Sequence, residues 1–164
     1  MTALSDLNGT FAIDPAHSAI SFVARHAMIT KVRGSFTEFE GTAQGNGADA
    51  ADAKVELTIQ AGSVNTRNEG RDGHLVSADF FDVENYPTIT FSSTSVKVLG
   101  DDSLELTGDL TIKDVTKPIT IGFEFTGAAT DPFGNERVGF EGSVVVNRKD
   151  HGLTWNAALE AGGV

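Results

Sequence analysis

The sequence predicts an all-β protein, an antiparallel up-and-down barrel with one or two short helices inside residues 63–86. Three observations lead there. Apolar and polar residues alternate with period two through most of the chain, the pattern of strands that bury one face. Clusters of Gly, Asn and Asp punctuate those runs at hairpin spacing. Helical periodicity is almost absent, and a meander of sequential antiparallel strands removes its exposed edges only by closing on itself.

The first run, residues 17–25, sets Ile20 and Phe22 on one face and Ser21 and Arg25 on the other. Residues 32–43 follow, with Phe36 and Phe39 three apart; this break in alternation predicts a bulge or bend near Thr37-Glu38. Residues 46–52 are small and mostly polar, a hairpin tip. Val55, Leu57 and Ile59 then alternate with Glu56, Thr58 and Gln60. Four more strands fall at 88–98 (Ile89, Phe91), 103–113 (Leu104, Leu106, Leu110, Ile112), 119–126 (Ile121, Phe123, Phe125) and 137–147 (Val138, Phe140, Val144, Val146). Lys117-Pro118 marks a strand start, where a missing N–H does little harm. Asp131-Pro132-Phe133-Gly134-Asn135 is a turn. Within 63–86, Thr66 is placed to cap a turn through Arg67-Asn68-Glu69, and Ser77 to cap Ala78-Asp79-Phe80-Phe81. A stretch this long without strand pattern, inside a compact β domain, points to function.

Composition bounds what that function is. The length suits one domain over residues 1–164. No cysteine is present, which excludes disulfides, thiolate zinc sites and a cysteine nucleophile. Twenty-three acidic against 12 basic residues give a net charge of −11. A field of that sign repels nucleic-acid phosphates and anionic lipid headgroups, so neither nucleic acid nor stable membrane insertion is expected. The first 14 residues show no signal-peptide pattern and no run reaches the ~18 apolar residues of a membrane helix, so the expected location is cytoplasmic.

Catalytic chemistry finds little support. His17, His26, His74 and His151 are scattered, without the i,i+4 spacing of a helical zinc site. His26 continues the Ile20, Phe22, Ala24 phase and reads as a buried structural histidine. His17 and Ser18 are adjacent on a strand and so point to opposite faces. There is no Gly-x-Ser-x-Gly elbow and no phosphate-binding glycine motif. A protein that is not an enzyme, with no catalytic residue, metal or cofactor, is expected. Eleven phenylalanines against one Trp and one Tyr suit an interior that takes an apolar ligand, and equally a solid core. The densest polar cluster runs from Arg67 to His74. Arg67 and Arg71 at i,i+4 can grip a diphosphate or polarise a quinone carbonyl; alternatively, Arg71 and Asp72 make structural ion pairs.

Six ordered motifs carry a resemblance over nearly the whole chain. They are Ile13-Asp14-Pro15-Ala16-His17-Ser18 with Phe22 and His26; Val32-Arg33-Gly34-Ser35-Phe36 with Phe39 and Gly41; Arg71-Asp72-Gly73-His74-Leu75; Asp79-Phe80-Phe81-Asp82 leading to Tyr86-Pro87-Thr88-Ile89-Thr90-Phe91; Gly108-Asp109-Leu110-Thr111-Ile112-Lys113; and Asn147-Arg148-Lys149-Asp150-His151-Gly152-Leu153. With these the chain resembles the YceI-like family, the lipocalin-like polyisoprenoid-binding proteins of bacteria. The resemblance implies an eight-stranded barrel around a long apolar pore. That pore would hold an isoprenoid lipid, a polyprenyl diphosphate or an isoprenoid quinone, for transport, storage or sensing. The implied lining comes from Ile20, Phe22, Phe36, Phe39, Leu57, Ile59, Phe80, Phe81, Phe91, Leu110, Ile112, Phe123 and Phe140. Charge and segment position make His17, Arg67, Arg71, His74 and Arg148 the headgroup candidates. The alternative is a filled-core barrel acting as a protein-interaction or stress-related module.

The chain departs from the family in two respects. Many members carry a secretory leader, and none is legible here. After Ala161-Gly162-Gly163-Val164 the family pattern continues into one more long strand, which leaves this barrel one strand short. In a seven-strand meander the first and last strands run in the same direction, so antiparallel closure fails. A gap, strain, or completion from elsewhere is expected, and an unpaired edge predicts a homodimer.

Overall fold

The computed structural model of the protein describes residues 8–26, 30–46 and 53–153. Its elements are β1 (Asn8–Ala12), β2 (Ile20–His26), β3 (Thr30–Phe36), β4 (Phe39–Asn46), β5 (Lys54–Gln60), β6 (Val64–Asn65), α1 (Glu69–Leu75), β7 (Thr88–Val98), β8 (Ser103–Ile112), β9 (Val115–Thr130) and β10 (Glu136–Ser143). Seven strands form one sheet in the order β1-β4-β5-β7-β8-β9-β10, and β2-β3-β6 form a second. Every pairing is antiparallel. The all-β antiparallel class is as the sequence predicts, but the connectivity is more than a meander. The β2–β3 hairpin leaves the main sheet between β1 and β4 and pairs with β6 instead.

The corner at Thr37-Glu38 explains why. The single bent strand expected over 32–43 is two strands in different sheets, β3 ending at Phe36 and β4 starting at Phe39. Both phenylalanines are buried in one cluster, so a chain that places them three residues apart must turn between them. The corner's backbone groups are satisfied across the gap, as burial demands. Thr37 donates its N–H to the Ser63 carbonyl at 3.2 Å, and Gln60 donates to the Glu38 carbonyl at 2.9 Å.

Register sets the inner face of the large sheet. Phe39 stands opposite Ile59 and Ile59 opposite Ile89; Leu57 faces Phe91, which faces Leu110; Leu106 faces Ile121 and Leu104 faces Phe123. Gly108 has to be glycine here, since a Cβ would lie 2.5 Å from the Phe91 ring and from the Ser92 carbonyl. Pro118 is not a strand start. It lies inside β9 opposite Asp109, short of Gly122 where β10 pairing begins, so it occupies an edge that tolerates its missing N–H.

Residues 63–86 hold one α-helix, within the one or two expected. Asn68 caps α1 by accepting the Arg71 N–H at 3.0 Å, the role expected of Thr66. The second expected helix is a series of turns, in which the Ser77 hydroxyl donates to the His74 carbonyl at 2.5 Å. The last expected strand is also shorter: β10 stops at Ser143, and Val145 is 97% exposed. A 3-10 turn over Arg148–His151 follows. Most of the expected hairpin tip (47–52), the terminal residues 161–164 and the His26 side chain lie outside the described residues.

Packing divides the interior. Phe36, Phe39, Ile59, Ala61, Val64 and Ile89 form a buried cluster closed over by Phe22 from the small sheet and by Leu75, Val76, Phe81 and Val83. A smaller cluster surrounds Phe125, with Leu104, Ala128 and Val138. Among the described residues the seven antiparallel strands of the large sheet leave the outer edges of β1 and β10 running in the same direction. The sheet nevertheless curls until those edges meet in an ion pair, Arg137 of β10 donating to Asp14 just beyond β1 at 2.5 Å.

Candidate ligand-binding site

The inner face is apolar apart from Lys117, yet its two halves differ in how far the chain covers them. Of the thirteen expected lining residues, Phe36, Phe39, Ile59 and Phe91 are buried. Ile20, Phe22, Leu57, Phe80, Phe81, Leu110, Ile112 and Phe123 are half-buried, and Phe140 is 39% exposed. At the helix-covered end Phe36 packs against Phe22 and Phe81, with ring centroids 5.7 and 5.8 Å apart, so these side chains fill space with one another. Over β8, β9 and β10 the same apolar phase continues; Leu106 and Phe125 in it are buried, while Leu104, Ile119, Ile121 and Phe123 stay half-buried and Phe140 is exposed. Uncovered apolar surface of that extent marks a place where something else packs.

The five headgroup candidates separate. His74 donates Nε2–H to Asp79 at 2.8 Å and meets the edge of the Phe80 ring at 5.0 Å. Arg148 lies over the same ring at 6.0 Å while donating to the Leu153 carbonyl at 2.5 Å. Phe80 therefore joins His74 and Arg148, 74 positions apart in sequence, into one aromatic and cationic group. Arg71 serves the structural reading: its Nε and a terminal nitrogen donate to the Thr66 hydroxyl and carbonyl at 2.8 and 3.0 Å. Asp72 completes that brace, accepting both the N–H and the hydroxyl of buried Thr66 at 3.0 and 2.6 Å. Arg67 is exposed, at a left-handed φ of 61° held by its N–H to Asn65.

His17 belongs to the seam between the sheet edges. Its Nδ1–H donates to Asp14 at 2.7 Å, and Asp14 also accepts from the Ala16 N–H and from Arg137. These donors, His17 foremost, hold the Asp14 carboxyl down at about 2. Asp131 is likewise lowered to about 2, chiefly by the Asn135 N–H, and accepts from the other side of Arg137 at 2.9 Å. Nothing in the sequence pattern singles out Arg137, which pairs with a residue 123 positions away.

Lys117 stands opposite Leu110 and shares the phase of Ile119, Ile121 and Phe123, which places it on the apolar face. It lines an open cleft of about 360 Å³ together with Ile119, Val146, Asp150 and His151. His151 is 1% exposed and donates Nδ1–H to the Val115 carbonyl at 3.0 Å, fastening the 148–151 turn to β9. Among the described residues, no three His, Asp or Glu side chains gather as a metal site requires. No helix among them is long and apolar enough to cross a membrane.

Comparison with known proteins places this geometry. A family model described as the YceI-like domain matches residues 11–164. A UPF0312 protein of Staphylococcus aureus strain MSSA476 is 39% identical over 155 residues, covering 94% of this chain and 88% of its own. The crystal structure of a Campylobacter jejuni YCEI protein superposes with a TM-score of 0.73 at 31% identity, covering 93% of this chain and 90% of that one. BcnA of Burkholderia cenocepacia superposes with a TM-score of 0.78 at 23% identity, covering 88% and 86%, a likeness of fold.

Proposed function

The chain belongs to the YceI-like family, and from that premise we propose that it binds an isoprenoid lipid on its inner apolar face without transforming it. A polyprenyl diphosphate or an isoprenoid quinone fits this reading, with transport, storage or sensing as the service performed. The observation that carries it is the row of half-buried apolar side chains over β8, β9 and β10, which the chain's own core leaves uncovered. The isoprenoid tail lies along that row, with Ile119, Ile121, Phe123 and Phe140 as its main contacts, while Leu110 and Ile112 pack against the buried cluster. Phe22, Phe36 and Phe81 close the helix-covered end, beside Phe80. Each buried methylene contributes about 0.8 kcal/mol, so affinity rises with chain length until the row is covered.

The headgroup goes to His74 and Arg148 around Phe80, where a cation and a ring N–H suit a phosphate or a carbonyl oxygen. Arg71 supports this segment through Thr66 rather than through the ligand. The packed Phe22-Phe36-Phe81 end also favours a second reading, a filled-core protein-interaction or stress-related module. Native mass spectrometry and organic extraction of the purified protein separate the two. Bound isoprenoid, or uptake of added isoprenoid quinone or polyprenyl diphosphate, is the expected result. A barrel that stays empty under both conditions, together with a stable protein partner in pull-downs, overturns the lipid reading.

A further inference from the structure

Beyond Phe125 the β9 and β10 strands leave the rest of the sheet. Ser103, the first residue of β8, pairs with Glu124, and the Asp102 carbonyl takes the Phe125 N–H. Residues 127–130 of β9 pair with β10 alone, past a bulge at Thr126, a ribbon that extends roughly 13 Å along the strand direction. At its tip Phe133 is 87% exposed.

That tip is built, not loose. The Asp131 carboxylate accepts the Phe133 and Asn135 N–H groups at 2.9 Å each, the Asn135 side chain at 3.2 Å and the Arg137 Nε at 2.9 Å. Gly134 supplies the φ of 83° that the turn requires. Arg137 in turn ties the ribbon to Asp14. The ring is therefore presented on a fixed backbone, and little ordering entropy opposes its insertion into another phase. The outermost residues of the tip, Pro132, Phe133, Gly134 and Asn135, are uncharged; Asp131 shares Arg137 with Asp14, and exposed Glu136 follows at the base of the turn.

We propose that Phe133 is an aromatic anchor through which the protein touches a zwitterionic lipid bilayer, transiently and without spanning it. The biological use of this contact rests on the lipid-cargo reading above, since an isoprenoid must be collected from or delivered to a bilayer; the contact itself does not. A preorganised aromatic tip whose outermost residues, 132–135, are uncharged suits the boundary between headgroups and acyl chains. The net charge of −11 selects against anionic surfaces and leaves a zwitterionic one.

The test is flotation of the full chain with isoprenoid-free phosphatidylcholine vesicles. Wild type co-floats, and admixture of phosphatidylglycerol weakens the association at low salt. Phe133→Ser lowers the bound fraction about tenfold, the effect of removing one buried aromatic side chain. Phe133→Trp keeps it, and Asp131→Ala, which frees the tip while keeping the ring, weakens it. Circular dichroism establishes that each variant is folded, and the Ser and Trp pair suffices if Asp131→Ala is not. Absence of wild-type flotation, or equal flotation of Phe133→Ser, overturns the proposal. Phe133-dependent capture of a protein partner without vesicle binding overturns it as well and assigns the tip to that partner. Because the vesicles hold no isoprenoid, a failure of the cargo reading leaves this result standing, and the converse also holds.

Discussion

Phe36 of the small sheet and Phe123 on the inner face of the large sheet separate a packed end from a binding end when each is truncated. Phe36 is 9% exposed, with ring contacts to Phe22 at 5.7 Å and to Phe81 at 5.8 Å. Truncating a buried phenylalanine costs about 3–5 kcal/mol, and each aromatic pair contributes roughly 0.5–1.5 kcal/mol within that. Phe36→Ala is therefore expected to lose about 4 kcal/mol, a large share of the roughly 5–15 kcal/mol typical of a domain. Phe123 is half-buried beside Gly142, whose added Cβ would lie 2.5 Å from its ring. Phe123→Ala is expected to cost only about 1 kcal/mol in the ligand-free protein. Urea unfolding with and without isoprenoid quinone measures both. For Phe36→Ala the midpoint falls with an unchanged slope, and the shift that ligand adds is preserved. For Phe123→Ala the ligand-free midpoint barely moves, and the added shift collapses. The reasoning is refuted if Phe36→Ala costs under about 1.5 kcal/mol and abolishes the ligand shift, because Phe36 would then line the cavity rather than fill the core.

Three further outcomes follow from the geometry. Asp72→Ala strands two donors of buried Thr66 and is expected to cost about 2–3 kcal/mol by urea unfolding, with Asp72→Asn recovering part. Gly108→Ala drives a methyl onto the Ser92 carbonyl, which cannot yield without moving β7, and is expected to lower stability by about 1–3 kcal/mol in the same assay. Asp14 and Asp131 are held at about 2, below their ordinary value of 3.8, so the unfolded chain binds more protons than the folded one in that interval. Their stabilisation is fully present above the ordinary value and is lost as pH falls through about 2. Thermal unfolding across this window should show the loss in wild type and a smaller one in Arg137→Ala.

How much of this was legible depends on whether the signal is local. Alternation located β5, β7, β8 and the middle half of β9, because each buries one face against a neighbour. β1 escaped notice because Asn8-Gly9-Thr10-Phe11-Ala12 offers one large apolar residue, and β6 because two residues show no period. The Phe36 to Phe39 spacing revealed a defect at Thr37-Glu38, but nothing local says that a chain leaving a bend joins a different sheet. In the polar cluster, residue types allowed Arg71 either a ligand or a structural partner. The structural one is Thr66, whose capping role passed to Asn68. The gathering of His74 and Arg148 at Phe80 and the pairing of Asp14 with Arg137 span distances along the chain that no motif encodes.

The central claim is that the uncovered apolar row, and not the packed cluster, seats the isoprenoid. Methyl-resolved NMR titration with an isoprenoid quinone tests it most directly. The account predicts shifts in the methyls of Leu104, Ile119 and Ile121, with Ile59 and Ile89 unmoved. Shifts confined to Ile59 and Ile89, or none anywhere at saturating quinone and again with polyprenyl diphosphate, would contradict it.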